Sequence, residues 1–435
     1  MAEKIKVVYL CHFANDRISA KLPLTLDCLT RLAYWYKNKP VTTNVVEHDL
    51  WNTYAFKEFE KFTDEIELHV ISPYLLLSPK TFHLVENGIN YHFFRDDDNR
   101  PDRFLFNRLT KYKYLTFSRN REKILAFVKQ IKPDIVHLVG AENPHYASAI
   151  LDIPQEIPVL TQLQTLLSDP EFEKNYYMYK PWYNYRSDME MKIFRRSDFL
   201  GTRAQQYINN IHNNLLPDKT ILNTTLALTE PINASHTAKE YDFVYFARNI
   251  AKAGDWVIEA FVLASLKHPG ITLDIVGEFK VPFREQLEKR LAEFGLNQFV
   301  KFEGLQPTHD DVLRQVRKSR FAILPMKIDL LTGTIKECMA NGIPVVTTIT
   351  PSTPKVNLQR ECLLVSEKED FQGMADNMCR LLESEELAEM IRANAYTYIS
   401  ERSSNFDVVK QYVSAYHCIL DYKRKGEAIP QNLIS

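Results

Sequence analysis

The sequence predicts an α/β protein with two doubly wound parallel sheets, each in a domain of its own. Strand-like apolar runs alternate with amphipathic helical segments, and this alternation restarts after a polar stretch at residues 228–240. The length of 435 residues suits two domains of ordinary size. We therefore predict one domain over residues 1–234 and a second over residues 235–435.

In the first half, the order of elements is strand, helix, strand, and then a repeated alternation. Short apolar runs predict buried strands, and apolar residues at helical spacing predict helices. The predicted elements are a strand at 6–13, a helix at 22–38, strands at 66–73 and 87–94, a helix followed by a strand within 120–140, and strands at 159–165 and 198–203.

The second half repeats the pattern. A strand at 241–248 (YDFVYFAR) precedes a helix at 254–270, which ends at a Pro-Gly turn. ITLDIVGE, VKFEGL and RFAILPMK predict further strands, and FREQLEKRLAEFG and HDDVLRQVRKS predict the helices between them. A helical pattern from about residue 406 marks a tail that we expect to pack on the first domain, as such tails often do in the family described below.

Composition narrows the classes of function. The formal charge of -1 provides no general attraction for nucleic acid. The chain lacks a secretion signal at its start and any uninterrupted apolar run of about 18 residues, which would indicate a transmembrane helix. The six cysteines are scattered without metal-binding spacing, which favours buried free thiols in a reducing compartment. We therefore expect a cytoplasmic protein.

Glycine is unevenly distributed. Only 12 glycines occur, and most of them fall between Gly254 and Gly342. Glycine permits tight turns and a close approach of the backbone to a ligand. A site lined by backbone is therefore expected in this region.

The segment DLLTGTIKECMANGIPVVTT, residues 329–348, predicts a loop, a short helix and a strand. Asp329 and Glu337 bracket a helix start that contains Gly333, and free amides at a helix start bind anions such as phosphate. Thr334 and Glu337 also fit a capping box, in which both side chains would only cap the helix. The residues alone leave both interpretations open.

The segment FARNIAKAGDW follows the first strand of the second half and carries Arg248 and Lys252. Two cations at the end of a strand are suited to neutralising a diphosphate. A solvated loop with two basic residues is the alternative.

These motifs together resemble the donor domain of the family 4 retaining glycosyltransferases, which have the GT-B fold with two domains facing across a cleft. Five segments match in order over about 110 residues: VYFARNIAKAG, LDIVGE, VKFEGL, FAILPMK and the segment 329–348. The resemblance implies that Glu337 binds the ribose of a nucleotide sugar and that Asp329 lies beside its sugar. It also implies that diphosphate or sugar contacts come from Arg248, Lys252, Thr332, Gly333 and Thr334.

Two positions depart from the family pattern. Asp329 stands where the family usually has glutamate, so its reach is shorter by one methylene. The family's usual lysine lies directly before the glycine, where this chain has Ala253, and Lys252 stands one residue earlier.

The first half resembles the acceptor-side domain of bacterial members. Glu142 and His145 follow the strand KPDIVHLVG, where family members often have a histidine near the donor sugar. Residues 12–23 contain none of the paired glycines usual in the family's first loop. Arg203 is a further, weaker candidate at a later strand end.

The resemblance implies transfer of a hexose, with retention, from a UDP- or GDP-linked donor to a glycan or a lipid-linked acceptor in polysaccharide biosynthesis. Neither a metal nor another cofactor is expected. A scaffold protein with a decayed transferase fold is the alternative, motivated by Asp329 and by the displaced lysine. A nicotinamide-dependent oxidoreductase is disfavoured because no G-x-G-x-x-G follows the first strand.

Two aromatic-rich segments remain open to interpretation. Residues 100–123 are basic and interleaved with aromatic residues, which suits either an anionic membrane surface or a solvated helix with its rings in the core. Residues 175–185 (NYYMYKPWYNY) suit either an acceptor groove or packing against the sheet.

Overall fold

The structure is a computed structural model that describes residues 4–26, 28, 30–32, 50–170, 172, 179–230, 237–247, 253–279, 281–327, 333–350, 353–401 and 404–435. The described residues divide into two compact units. The first unit comprises those up to Ala227 together with Asn405–Ser435, and the second comprises Leu228–Ser404. The division falls a few residues before the boundary that we place at residues 234 and 235.

The first unit contains a sheet with eight strands among the described residues. Its spatial order is β3-β4-β2-β1-β5-β6-β7-β8, and every pairing is parallel except that between β3 and β4. The strands are β1 (Ile5–Leu10), β2 (Ile66–Tyr74), β3 (Thr81–Glu86), β4 (Ile89–Arg95), β5 (Ile135–Val139), β6 (Val159–Gln162), β7 (Phe199–Gly201) and β8 (Ile221–Leu222).

Helices connect these strands, as parallel pairing requires. They are α1 (Asp16–Ser19), α2 (Leu50–Phe59), α3 (Pro101–Leu109), α4 (Ser118–Ile131), α5 (Pro144–Ala147), α6 (Lys180–Arg196), α7 (Gln205–Asn210) and, from the end of the chain, α15 (Asn405–Lys425). Shorter 3-10 turns lie at Glu60–Phe62, Ser148–Asp152 and Gln431–Leu433, and a π turn at Ile211–Leu215.

The second unit contains a fully parallel sheet with six strands among the described residues, in the order β11-β10-β9-β12-β13-β14. The strands are β9 (Tyr241–Phe246), β10 (Leu273–Val276), β11 (Val300–Gly304), β12 (Ser319–Ile323), β13 (Val345–Thr348) and β14 (Leu364–Ser366). The helices are α8 (Gly254–Lys267), α9 (Val281–Glu293), α10 (His309–Val316), α11 (Gly333–Ala340), α12 (Thr353–Val356), α13 (Phe371–Glu383) and α14 (Glu385–Ser400), with a 3-10 turn at Asn297–Phe299.

Burial explains why the central strands could be found in the sequence. Every residue of β5 and of β10 is buried, because helices cover both faces of a parallel sheet and apolar side chains are needed on each. The predicted fold of two parallel-sheet α/β domains is confirmed. Eight of the 17 residues of the predicted helix at 22–38 lie outside the described residues; of the other nine, residue 28 and residues 30–32 are helical and residues 22–26 are not.

Strand β3 has no counterpart among the predicted elements. Its residues alternate between exposed and half-buried, and it pairs antiparallel with β4 at the edge of the sheet. An edge strand of this kind has no continuous apolar run, so the pattern used for the buried strands does not detect it.

The C-terminal helix α15 belongs to the core of the first unit. Tyr412 and Tyr416 are fully buried against the sheet, and the Tyr416 hydroxyl lies 2.6 Å from Nδ1 of His137 on β5. Because no water reaches this place, burial lowers the pKa of His137 from 6.5 to about 3. The imidazole is therefore neutral in the folded protein at neutral pH.

This burial predicts a stability term that depends on pH. His137 takes up a proton at about pH 6.5 when the chain is unfolded but only near pH 3 when it is folded. Its contribution to the free energy of unfolding is therefore complete above pH 6.5 and is lost as the pH falls toward 3. The double variant His137→Phe/Tyr416→Phe removes both partners and should lose less stability than the wild type on acidification, by up to about 1.4 kcal/mol per pH unit. Denaturant titrations at several pH values would measure this.

The single variant Tyr416→Phe is the control, since it keeps His137 and should retain the wild-type slope. Parallel curves for the wild type and the double variant would contradict the prediction.

Candidate functional site

In each sheet, successive strands are added on one side of the first strand and then on its other side, and we call the place of this change the reversal point. Ligands of doubly wound sheets bind there, beyond the carboxyl ends of the strands. In the second unit the chain proceeds from β9 to β10 and β11 and then returns to β12 on the other side of β9. The reversal point is therefore at the ends of β9 and β12. The predicted site segments begin after these two strands.

Four of the predicted site residues lie outside the described residues: Arg248, Lys252, Asp329 and Thr332. Their predicted roles stay predictions. Gly333, Thr334 and Glu337 are described, and all three lie in helix α11.

Helix α11 is anchored by one apolar face. Ile335, Cys338 and Met339 are fully buried, and burial raises the pKa of the Cys338 thiol well above its usual value. The spacing of these three residues turns Thr334 and Glu337 away from the core, and both are half-buried. The helix begins at Gly333, so Thr334 lies within its first turn instead of preceding it as a capping-box residue would.

Glu337 lies close to the start of its own helix and to a histidine from another element. A β-carbon built on Gly333 would be 4.0 Å from the Oε1 atom of Glu337. The same Oε1 atom is 3.2 Å from Nε2 of His309, with the two side chains only 13% and 16% exposed. The carboxylate thus lies within a turn of the amides of a helix start, beside the imidazole of His309.

Sequence reasoning did not identify His309. It is the first residue of α10, and the preceding Thr308 forms a capping box with Asp311. The Thr308 and Asp311 pattern could have located this helix start. Nothing in the local sequence indicates that the histidine reaches Glu337, which is on a separate helix.

Lys327 is a second residue that sequence reasoning missed. Its Nζ atom lies 2.6 Å from Oδ2 of Asp255 in the first turn of α8, and 5.0 Å from the centre of the Trp256 ring. The pair joins the segment after β12 to the helix that follows β9. It therefore provides a fixed cation at the reversal point of the sheet.

The threonines of β13 hold the segment that precedes Lys327. The amide of Met326 donates to Oγ1 of Thr348 at 2.8 Å, and Oγ1 of Thr347 donates to the carbonyl of Leu324 at 2.8 Å. Both threonines are fully buried. These bonds limit the freedom of the strand end from which Lys327 extends.

Two positions near the end of β9 restrict the side chains that they can carry. Gly277 has a φ of +129°, and a β-carbon there would be 2.1 Å from the carbonyl oxygen of Ala247. Ala253, directly before α8, is fully buried with a left-handed φ of 58°. A lysine at position 253 would therefore have to place its ammonium group in a buried position.

In the first unit, the reversal point lies between β1 and β5, and His12 follows the first of these strands. The ring of His12 meets that of His145 edge to face, with centroids 5.6 Å apart. The predicted residues Glu142 and His145 follow β5. The structure therefore brings both of them to the reversal point of their own sheet.

Glu142 is held by its neighbours. Its Oε1 atom accepts from Nδ2 of Asn143 at 2.9 Å. With the amide of Gln164 oriented to satisfy both ends, Gln164 donates to Oε1 of Glu142 at 2.7 Å and accepts from Nε1 of Trp51 at 3.0 Å. Nε of Arg186 donates to the carbonyl oxygen of Glu142 at 2.6 Å. The side chain is 6% exposed, so its position is well determined but its access to a ligand is narrow.

His145 is more accessible, with 16% of its side chain exposed. Its Nε2 atom is 4.0 Å from Oδ2 of Asp96, and its carbonyl oxygen accepts from Nδ2 of Asn120 at 3.0 Å. The Asn120 amide also donates to Oδ1 of Asp96 at 2.6 Å. Asp96 and Asn120 therefore position the short helix that carries the imidazole.

Arg203 contacts structural partners. Its Nε atom donates to Oδ1 of Asn223 at 3.0 Å, and its NH2 group donates to Oε1 of Gln411 on α15 at 2.6 Å. These bonds tie the C-terminal helix to a strand end, which gives Arg203 a role in the fold.

The described residues also bear on other classes of function. These residues hold no group of three or more His, Cys, Asp or Glu side chains arranged to bind a metal ion. None of the helices within the described ranges is both long and apolar enough to cross a membrane.

Known protein families and solved structures indicate the class of protein that this chain resembles. Residues 240–384 match the family model for Glycosyl transferases group 1. No curated protein sequence matches the chain. The second unit thus carries a segment of glycosyltransferase type.

Solved structures resemble nearly the whole chain. Sucrose-phosphate synthase from Thermosynechococcus elongatus has a TM-score of 0.68 at 13% identity, covering 96% of this chain and 99% of that one. The pneumococcal O-GlcNAc transferase GtfA, in complex with UDP and GlcNAc, has a TM-score of 0.60 at 11% identity and covers 96% and 99%. Alr3699/HepE from Anabaena, in complex with UDP and glucose, has a TM-score of 0.59 at 13% identity and covers 95% and 99%. At these identities the likeness defines the fold, which is GT-B.

The close approach at Gly277 generates a prediction. Gly277→Ala should destabilise the second unit by about 2–4 kcal/mol, because the new methyl group meets the backbone of Ala247, which cannot rotate away. Gly270→Ala is the matched control: its φ is +90°, but nothing lies within 4 Å, so only about 1 kcal/mol of backbone strain is expected. Equal losses for the two variants in denaturant titrations would refute the packing argument.

Proposed function

We propose that this protein is a glycosyltransferase that moves a hexose from a nucleotide-sugar donor to a glycan or a lipid-linked acceptor. The observation that carries the proposal is the carboxylate of Glu337, fixed beside the helix start at Gly333 within the segment that matches the family model. A carboxylate accepts hydrogen bonds from ribose hydroxyls, while helix-start amides donate hydrogen bonds to a phosphate. This combination suits a nucleoside diphosphate.

In this proposal the second unit holds the donor. Glu337 binds the ribose, and the amides around Thr332, Gly333 and Thr334 meet the phosphate or the sugar. Arg248 and Lys252 neutralise the diphosphate, and Asp329 contacts the donor sugar. Lys327, paired with Asp255, adds a cation at the same reversal point of the sheet. A UDP- or GDP-linked sugar is the expected donor, with no other cofactor.

We further propose that the transfer retains the configuration at the anomeric carbon. The bond between the anomeric carbon and the diphosphate oxygen breaks while the acceptor oxygen forms its bond on the same face of the sugar. The acceptor proton passes to an oxygen of the departing diphosphate. Cations beside that group stabilise the charge that develops on it, and this stabilisation is the main catalytic contribution of the protein.

The first unit would hold the acceptor. His145 lies at the reversal point of its sheet with 16% of its side chain exposed, and the resemblance implies that it forms a hydrogen bond with a hydroxyl of the donor sugar. Glu142, fixed by Gln164 and Asn143, would accept a second hydrogen bond from the donor. We expect the protein to act in the cytoplasm, in agreement with six cysteines that are all free thiols. Its place in bacterial polysaccharide synthesis rests on the resemblance of the motifs.

The donor site predicts a response to nucleotides. One member of a panel of UDP, GDP, ADP, CMP and NAD should raise the melting temperature of the wild type by a few degrees, since ligand at 100 times its dissociation constant adds about 2.7 kcal/mol. Glu337→Gln keeps the shape of the side chain but removes its charge, and the shift should fall by the equivalent of at least tenfold in affinity. Differential scanning fluorimetry measures both.

Glu383→Gln is a matched control, because Glu383 also pairs with a histidine, His268, at 2.8 Å in the same unit. It should respond like the wild type. If no nucleotide shifts the wild type, the donor site is absent and the decayed scaffold becomes the better reading. A shift with NAD alone would instead favour an oxidoreductase.

The role of His145 predicts a separation of binding from turnover. His145→Ala should keep the nucleotide-induced shift in melting temperature but lower the rate of donor cleavage about a hundredfold or more, because a hydrogen bond to the reacting sugar is lost. Release of the nucleoside diphosphate, with and without a panel of acceptor glycans, measures the rate. His212→Ala is the control, since this histidine bonds only to the carbonyl of Lys219 among the described residues of the same unit. Wild-type protein that binds nucleotide but releases none would support the scaffold.

A further inference from the structure

One surface of the first unit combines exposed apolar side chains with unpaired cations. Its apolar members are Leu105, Phe106, Leu109, Tyr114 and Tyr179, which are 62%, 57%, 74%, 63% and 41% exposed. Its cations are Arg108, Lys111 and Lys113, all exposed. We call these eight residues the basic-apolar patch. Large side chains of this kind normally bury their apolar area, so a contiguous exposed set marks a contact surface.

The patch is continuous because aromatic contacts join its parts. The guanidinium of Arg108 lies 5.2 Å from the centre of the Tyr179 ring, and the ring of Tyr112 lies 4.8 Å from that of Trp182. Helix α3, the loop that follows it and the start of α6 are thereby held together. Tyr112 and Phe117 are buried beneath this loop, so the loop rests on the core while Phe106 and Tyr114 point outward. The solvated-helix interpretation, with all rings in the core, is therefore wrong for those two residues.

The charges of the patch indicate the kind of surface that it binds. Among the described residues, Arg108, Lys111 and Lys113 have no carboxylate within 4.0 Å, whereas many other cations of the protein are paired. Beside the patch lies a cavity of about 690 Å³ whose lining includes Leu151 and Met189, the cations Lys180 and Lys192, and one acid, Asp188. Apolar side chains that insert among acyl chains, ringed by cations that meet phosphates, match the surface of an anionic bilayer.

We propose that the basic-apolar patch binds the surface of an anionic lipid membrane. Leu105, Phe106 and Leu109 on α3 enter the boundary between headgroups and acyl chains. Arg108, Lys111 and Lys113 meet lipid phosphates, and the neighbouring lysine-lined cavity receives a headgroup. The proposal does not depend on the transferase reaction, because it concerns only residues of this surface.

Sedimentation with vesicles tests the proposal. The full-length protein is mixed with vesicles of phosphatidylcholine alone or with about 30% phosphatidylglycerol, at low and at high salt. Binding should require the anionic lipid and should weaken steeply with salt, because exposed charges are screened. The triple variant Arg108→Gln/Lys111→Gln/Lys113→Gln should lose about fivefold in partition coefficient per cation, about a hundredfold altogether. Leu105→Glu/Leu109→Glu should lose more than tenfold.

Matched controls come from exposed positions elsewhere. Lys289→Gln/Lys368→Gln/Lys410→Gln changes the net charge equally, and Leu266→Glu/Leu358→Glu introduces acids at similarly exposed leucines. Both should bind like the wild type. Unchanged melting temperatures show that the variants are folded. If the double glutamate variant does not fold, the triple glutamine variant still tests the proposal.

Three results would overturn the proposal. The first is a wild-type protein that fails to bind anionic vesicles, and the second is a set of patch variants that bind them as well as the controls do. The third is a patch variant that changes the sedimentation coefficient of the free protein without changing vesicle binding, which would show that a second copy of the chain covers this surface.

Discussion

Parallel pairing of the central strands is the constraint on which the rest of the structure depends. A strand can be followed by a parallel neighbour only after a crossover, and all strands then end at the same edge of the sheet. In the second unit, β9 pairs with both β10 and β12, so the segments after β9 and β12 must diverge on opposite sides. The chemistry-bearing segments follow these two strands because of that topology, and the same rule brings His12 and His145 together in the first unit.

Close packing of backbone at this edge accounts for the distribution of glycine. Gly277 is needed because a larger residue would overlap the carbonyl of Ala247. Gly140, with a φ of +88°, stands at the end of β5, where a β-carbon would be 2.8 Å from both the Tyr146 hydroxyl and the side-chain amide group of Gln164. In each unit a glycine thus lets a strand end lie directly against polar groups of the site.

The sequence could predict what local patterns determine, and it failed where distant residues meet. The buried strands and the helix at α11 follow from apolar spacing. Glu337, Glu142 and His145 are singled out by the resemblance of their segments to family motifs, and their roles stay predictions. Lys327 is 72 residues from Asp255, and His309 is on a different helix from Glu337, so no local pattern connects either pair. Strand β3 was not predicted because it lies partly exposed at the edge of the sheet and has no continuous apolar run. Arg203 looked like a site residue because it too follows a strand, yet its partners belong to the fold.

The departure of this chain from the family pattern at position 253 has a physical reason. Ala253 is fully buried, with a left-handed φ of 58° directly before α8. A lysine there would have to lose the hydration of its ammonium group without a partner, which costs several kcal/mol. A methyl group adds no such penalty, while the left-handed backbone costs alanine about as much as lysine, about 1–2 kcal/mol. The lysine of this segment stands at position 252 instead, one residue nearer to the end of β9. The sequence thus keeps a lysine next to this position, while the residue before the glycine is buried.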